Sequence, residues 1–305
     1  MIVLERIDNM KPTPKMFFLD ALDRRWREYL DQVKNCRQET SNEAIHEYRV
    51  STRRLLSIVD FLRGLNPCSD LIKLRSSLKT QLDDLDGLSD VQLMQVDVAE
   101  LMGENPEVKP FLDHLYQQER SLSEKASHQI NRMDVKSLGK RIQNVRASQK
   151  DFFSSSPTSK RDYLAIVDEA FDFVLDRYTL LDLVDTNTIH RLRIAFRKFR
   201  YQVEIVHPLI PSFPKTNMAA MREYQGSMGV IQDLEVLHKA LLGFAYQSKG
   251  KSMDSVLSIL LQQHSDAVEA FWKEKEGIHD FWRSSSKAKY SWNEKKKTAV
   301  PSDSQ

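Results

Sequence analysis

Glycine and proline are both scarce in this 305-residue chain, at 9 and 10 residues. With so few turn punctuators, many short strands are disfavoured and long helices favoured. Cysteine is scarcer still. Cys36 and Cys68 stand far apart with no C-x-x-C spacing, which argues against a zinc site and against a disulfide framework. No apolar run approaches the ~20 residues that cross a bilayer. The start, MIVLERIDNMKPTPK, lacks the basic-then-apolar layout of a secretory signal. These absences read as a cytoplasmic protein with reduced thiols and no membrane role. An excess of one charge is missing too: 45 Lys and Arg face 43 Asp and Glu, a net charge of +2. The whole-molecule balance does not announce a polyanion binder, so any cationic site must be a local concentration.

Apolar spacing supplies what the absences leave open. Phe17, Phe18, Leu22, Trp26, Tyr29, Leu30 and Val33 recur at three- and four-residue intervals, as on one helix face. Thr40, Ser41 and Asn42 offer caps for a second helix that runs towards Gly64, Asn66 and Pro67. A third helix reads from about 71 to 102. A fourth starts near Val108, and 136–153 still looks helical. Boundaries follow: an irregular lead at 1–16, a helical unit at 17–153, an SSSPTS linker at 154–160, a second unit at 161–283 and a lysine-rich mobile tail at 284–305. The two units read as matched modules of about four helices each, an all-α protein with pseudo-twofold symmetry.

The match between units is specific. IHEYRVSTRRL (45–55) is answered by IHRLRIAFRKFRY (189–201). His46 and His190 lie 144 residues apart, as do Arg49 and Arg193, Arg53 and Arg197, Arg54 and Lys198, and Asp60 and Glu204. LDGLSDVQLM (85–94) resembles MGVIQDLEVL (228–237), pairing Asp90 with Asp233 at an offset of 143; Lys79 and Arg222 each precede that aspartate by eleven residues. So long a period suits a duplicated domain rather than a solenoid.

At 100° per residue, His46, Arg49 and Arg53 fall within about 60° of arc, with Arg54 at one edge. In the second copy His190, Arg193, Arg197 and Arg200 share a face opposite Leu192, Phe196, Phe199 and Val203. Most charge runs are solvated faces. These are rich in arginine, whose fork suits phosphate or carboxylate, are poor in interleaved acids, and occur twice. Like charges three and four apart weaken a helix by a few tenths of a kcal/mol per pair, a cost that an anion between the two helices relieves. A histidine at the start of each row can donate to phosphate and gains protons in an anionic field.

These motifs, H-x-x-R-V-x-x-R-R, H-x-x-R-I-x-x-R-K-x-R-Y and the later aspartate, together resemble the CHAD family, the conserved histidine α-helical domain. The resemblance runs from roughly Phe17 to Trp282. It implies two four-helix bundles related by pseudo-twofold symmetry around a basic central groove or pore. It also implies binding of inorganic polyphosphate, often at polyphosphate granules, without catalysis or a cofactor. The ligand-facing set it implies is His46, Arg49, Arg53, Arg54 and Lys79 in one half, with His190, Arg193, Arg197, Lys198, Arg200 and Arg222 in the other. Asp90, Asp233 and Tyr201 would support it. There are departures. Leu56 stands where the other copy has Arg200, Ser57 where it has Tyr201, and Ser89 and Gln232 replace a basic residue before each aspartate. The first copy is then the less basic wall.

Rival readings are weaker. A lone histidine among arginines makes a poor metal site, with no H-x-x-x-H or carboxylate partner. No P-loop, paired carboxylates or Gly-rich loop supports a phosphate-processing enzyme. Nonspecific nucleic-acid-backbone binding uses the same phosphate contacts, but base stacking wants aromatics on the cationic face, and only Tyr201 qualifies. A plain interaction scaffold is the remaining case.

Overall fold

The computed structural model describes residues 14–155, 159–248 and 253–293, and among them it is all-α, with no strand. The first half holds α1 (Pro14–Gln38), α2 (Asn42–Leu65), α3 (Ser69–Leu101), α4 (Lys109–Arg132) and α5 (Val135–Ser155). The second holds α6 (Lys160–Thr179), α7 (Asn187–Val206), α8 (Asn217–Gln247) and α9 (Asp254–Glu274), then a 3-10 turn at Lys275–Asp280. Local sequence explains the boundaries. The Ser41 side chain accepts from the Ala44 N–H at 3.2 Å to open α2, and Asn66 and Pro67 close it. Ser159 and Asp162 form a reciprocal capping box at the start of α6.

Each half is built from antiparallel neighbours, α1·α2, α2·α3 and α3·α4 in one and α6·α7, α7·α8 and α8·α9 in the other. The halves meet where α2 packs on α7 and α6, and α3 on α8. One apolar cluster runs through both halves, from Phe18 and Phe61 to Phe199 and Trp282. A second joins the ends of α3 and α8 to the starts of α4 and α9, through Val98, Phe111, Leu241 and Leu260. Asp90 and Asp233 fall where α3 and α8 pass from the first cluster to the second. Charged groups therefore interrupt an otherwise apolar interface at one level.

Two sequence expectations change. The first half has five helices rather than about four, because α5 is a separate helix packed on α1 and α3. The tail does not begin at 284. Trp292 is buried, its ring stacks on Tyr290 at 4.4 Å, and it meets Phe213 and Trp282 edge-on. The lysines around these rings had marked the segment as solvated, but the two aromatics dock it. The rest of the expected tail, the linker centre and residues 1–13 of the expected lead lie outside the described residues, while Pro14, Lys15 and Met16, expected as irregular, already belong to α1.

Candidate functional site

The contact between α2 and α7 sets the two arginine rows side by side, with α3 and α8 beneath them. Arg53 of α2 and Arg197 of α7 feel each other directly. Burial, with Arg49 nearby, lowers the Arg53 guanidinium. Burial, then Arg53 and Arg193, push Arg197 down to about 10. Both remain charged at neutral pH, so each carries an unfavourable environment in its working form. Among the described residues neither makes an ion pair or a hydrogen bond.

Their neighbours are only partly satisfied. Arg49 is 6% exposed and its Nη2 meets Asp86 Oδ1 at 2.9 Å, yet its buried Nη1 has no partner. Arg193 Nε and His190 Nδ1 are likewise buried without one. Such donors are costly to strand and rare in native interiors. Arg193 lies against Gly229 of α8, where an added Cβ would stand 3.7 Å from both Nε and Nη2. Burial, then Arg193, lower His190, opposed by a hydrogen bond with Gln232. At neutral pH the ligand-free protein therefore favours the neutral imidazole, and an added anion would oppose that preference.

Carboxylates line the same level. Burial and Asp86 raise Asp90, against the pull of Arg49, Arg193 and Arg53. Burial, Asp97 and Asp90 raise Asp233, which Arg193 opposes. Arg49, Arg53, Arg193, Arg197, Asp86, Asp90 and Asp233 thus form one electrostatically coupled group drawn from four helices. A cavity of about 380 Å³ between α3, α8 and α9 is walled by leucines with Asp97, Glu100 and Asp233. Its charge is of the wrong sign for a polyanion.

The CHAD domain family model matches residues 20–242. The chain belongs to the CHAD family. Among solved structures, the crystal structure of the CHAD domain from the plant Ricinus communis superposes with a TM-score of 0.67. That alignment covers 88% of this chain and 92% of that one at 18% identity, a likeness of fold. No curated protein matches.

The CHAD signature positions fall into three groups. Arg49, Arg53, Arg193, Arg197 and the two aspartates converge as described. His190 borders them, and the Tyr201 hydroxyl bears on both Arg53 and Arg197. His46, Lys79, Lys198 and Arg222 are exposed and make no ion pair among the described residues. Arg54 and Arg200 are engaged elsewhere. Glu204 Oε1 meets Arg25 Nη2 at 2.5 Å and Arg54 Nε at 3.3 Å, while Oε2 stands 4.0 Å from Arg200 Nη1. Arg200 also donates from Nε to Gln225 at 2.9 Å, and its guanidinium lies 4.5 Å over the Tyr201 ring.

Sequence reasoning missed Asp86, Arg25 and Gly229. Asp86 carried a signal, since it lies one helical turn before Asp90 and so shares its face. Arg25 carried none, because only the packing of α1 brings it to α7. The expectation that the rows are acid-poor holds along each helix and fails in three dimensions, where α3 supplies the acids. Among the described residues no group of three or more His, Cys, Asp or Glu is placed to hold a metal, and no helix is long and apolar enough to cross a membrane.

Proposed function

We propose that the chain binds inorganic polyphosphate without turning it over, along the seam between α2 and α7. The observation that carries this reading is the Arg53–Arg197 pair, two desolvated guanidiniums from different helices that repel each other and make no ion pair among the described residues, with Asp86 acting on both only through space. A phosphate between them removes the repulsion and supplies charge-assisted acceptors to both forks. The unpartnered donors on Arg49, Arg193 and His190 give further hydrogen bonds to neighbouring phosphates. His46, Lys79, Lys198 and Arg222 extend the positive field where the polymer leaves the seam. Membership in the CHAD family supports the same ligand class, and with it a cytoplasmic place at polyphosphate granules.

Nucleic-acid backbone binding is disfavoured by a specific contact. Tyr201 is the aromatic of the cationic face, and the Arg200 guanidinium already lies over its ring, which leaves at most one face for a base. The test is a titration with orthophosphate, triphosphate, long-chain polyphosphate and single-stranded DNA at two salt concentrations, with released phosphate assayed alongside. Tight, salt-sensitive binding of the long polymer without turnover is expected. Equal affinity for DNA, or phosphate release, would overturn the reading.

A further inference from the structure

On α7 the cationic row does not stop where the arginines stop. Continuing at 100° per residue, Glu204 falls between the azimuths of Arg193 and Arg197, about 10 Å along the axis beyond Arg197. One turn past Arg200, where the arginines stop, the row therefore continues with a carboxylate. Three guanidiniums surround it: Arg25 from α1 at 2.5 Å, Arg54 from α2 at 3.3 Å and Arg200, one turn earlier, at 4.0 Å. Two of the three belong to the CHAD signature stretches, and the carboxylate is largely buried, with 16% of its side chain exposed. Arg25 hydrogen-bonds the carboxylate, while Arg54 Nε and Arg200 stand close without hydrogen-bonding it, so three cations converge on one small oxyanion as they would around a bound phosphate.

The corresponding acid of the other half behaves differently. Asp60 pairs with Arg75 at 2.7 Å and Arg63 at 3.6 Å, both on its own half, and bridges nothing across the α2·α7 contact. The Glu204 cluster is thus peculiar to one end of the seam, and it spans three helices.

We propose that Glu204 is a specificity-determining residue that occupies an additional phosphate subsite formed by Arg25, Arg54 and Arg200. As a built-in anion it withholds these guanidiniums from the polymer and ends the seam at Arg197. The inference rests on the polyphosphate reading above and sets how many phosphates that site holds. Removing the carboxylate opens the subsite to a polymer long enough to reach it, while a triphosphate seated at Arg53 and Arg197 gains nothing.

The experiment compares the parent protein with E204Q, using triphosphate and long-chain polyphosphate at several salt concentrations. E204Q is expected to bind the long polymer about tenfold tighter, as one added charge-assisted contact predicts. Its affinity should also fall more steeply with salt, by about 0.7 or more in the log–log slope, with triphosphate affinity unchanged. E204Q leaves three cations facing one another, so R25Q/E204Q serves as a second variant that relieves part of this repulsion. It is expected to fold and to bind the long polymer more tightly than the parent and no more tightly than E204Q. Circular dichroism and thermal melting establish folding for each. If a folded variant binds the long polymer no tighter and with no steeper salt dependence, Glu204 is a structural bridge only and the inference fails while the polyphosphate reading stands. If the parent itself does not bind polyphosphate, both fail.

Discussion

Replacing Arg197 with glutamine separates stability from binding. Burial and the cations Arg53 and Arg193 push its guanidinium well below the ordinary arginine value, to about 10. At pH 7 the group is charged in both the folded and the unfolded chain, so the folded state bears the whole cost of that unfavourable environment. At about 1.4 kcal/mol per tenfold in proton affinity, the cost is about 3 kcal/mol. Solvent at the seam screens part of it, and glutamine forfeits some packing of the arginine stem. A net gain of about 1–2 kcal/mol remains, which in a chain of this size raises Tm by about 2–6 °C. Differential scanning calorimetry at pH 7, without ligand and with saturating long-chain polyphosphate, reads both effects. R197Q should melt higher than the parent without ligand and gain less from polyphosphate, because ligand stabilisation follows affinity. R197K, which keeps the charge, should show no comparable rise. If ligand-free R197Q melts below the parent, the seam is not strained by like charge and the reasoning fails.

Other consequences are independent of that variant. His190 is held below its ordinary range by burial and by Arg193 and Arg197, whereas a bound polyanion favours its charged form. Polyphosphate binding should therefore take up protons and tighten as pH falls from 7.5 to 6; calorimetry in buffers of different ionisation enthalpy measures the uptake, and H190N should reduce it. Because the folded state depresses this group, its share of ligand-free stability is present above about pH 6.5 and is lost as pH falls through the lowered value. Asp168 Oδ1 accepts from Trp282 Nε1 and from Arg283 Nε, both at 2.8 Å, and Oδ2 from Arg283 Nη2 at 2.6 Å. D168A strands a part-buried cation and a buried indole N–H, so urea unfolding should show a loss of about 2–3 kcal/mol, below that of a fully buried pair. W292A should cost about 3 kcal/mol in the same assay, since that ring is docked on Phe213 and Trp282; an unchanged midpoint would return the segment to the solvated tail.

The helical class and the pairing of α2 with α7 were legible because two signals repeat at one offset. The apolar period sets each helix, and the His/Arg spacing returns after 144 residues. What one helix touches was less legible. A helical wheel divides each helix into a buried and an open face, but α2 and α7 are packed nearly all round. Arg49 and Arg200, placed on the open face by the wheel, are only 6% and 7% exposed. The partners of the rows, Asp86 and Arg25, lie on other helices, and no spacing along α2 or α7 points to them. Composition misled at 284–293, where two lysines and four serines outnumber the two aromatics that decide the packing. The expected difference between the walls takes a different form from the one read at Leu56. Arg200 is turned to Gln225, Tyr201 and Glu204, so the extra arginine of the second copy adds little to the seam.

The central claim is that the paired guanidiniums of α2 and α7 hold the polymer. Arg49 is a poor site for charge reversal, since a glutamate there would face Asp86. The direct measurement is calorimetric titration of long-chain polyphosphate into the parent and into R53Q/R197Q at one fixed salt concentration. The account predicts that the double variant is at least as stable as the parent and binds about a hundredfold or more weakly, as two lost charge-assisted contacts imply. A folded double variant that binds as tightly as the parent would contradict it.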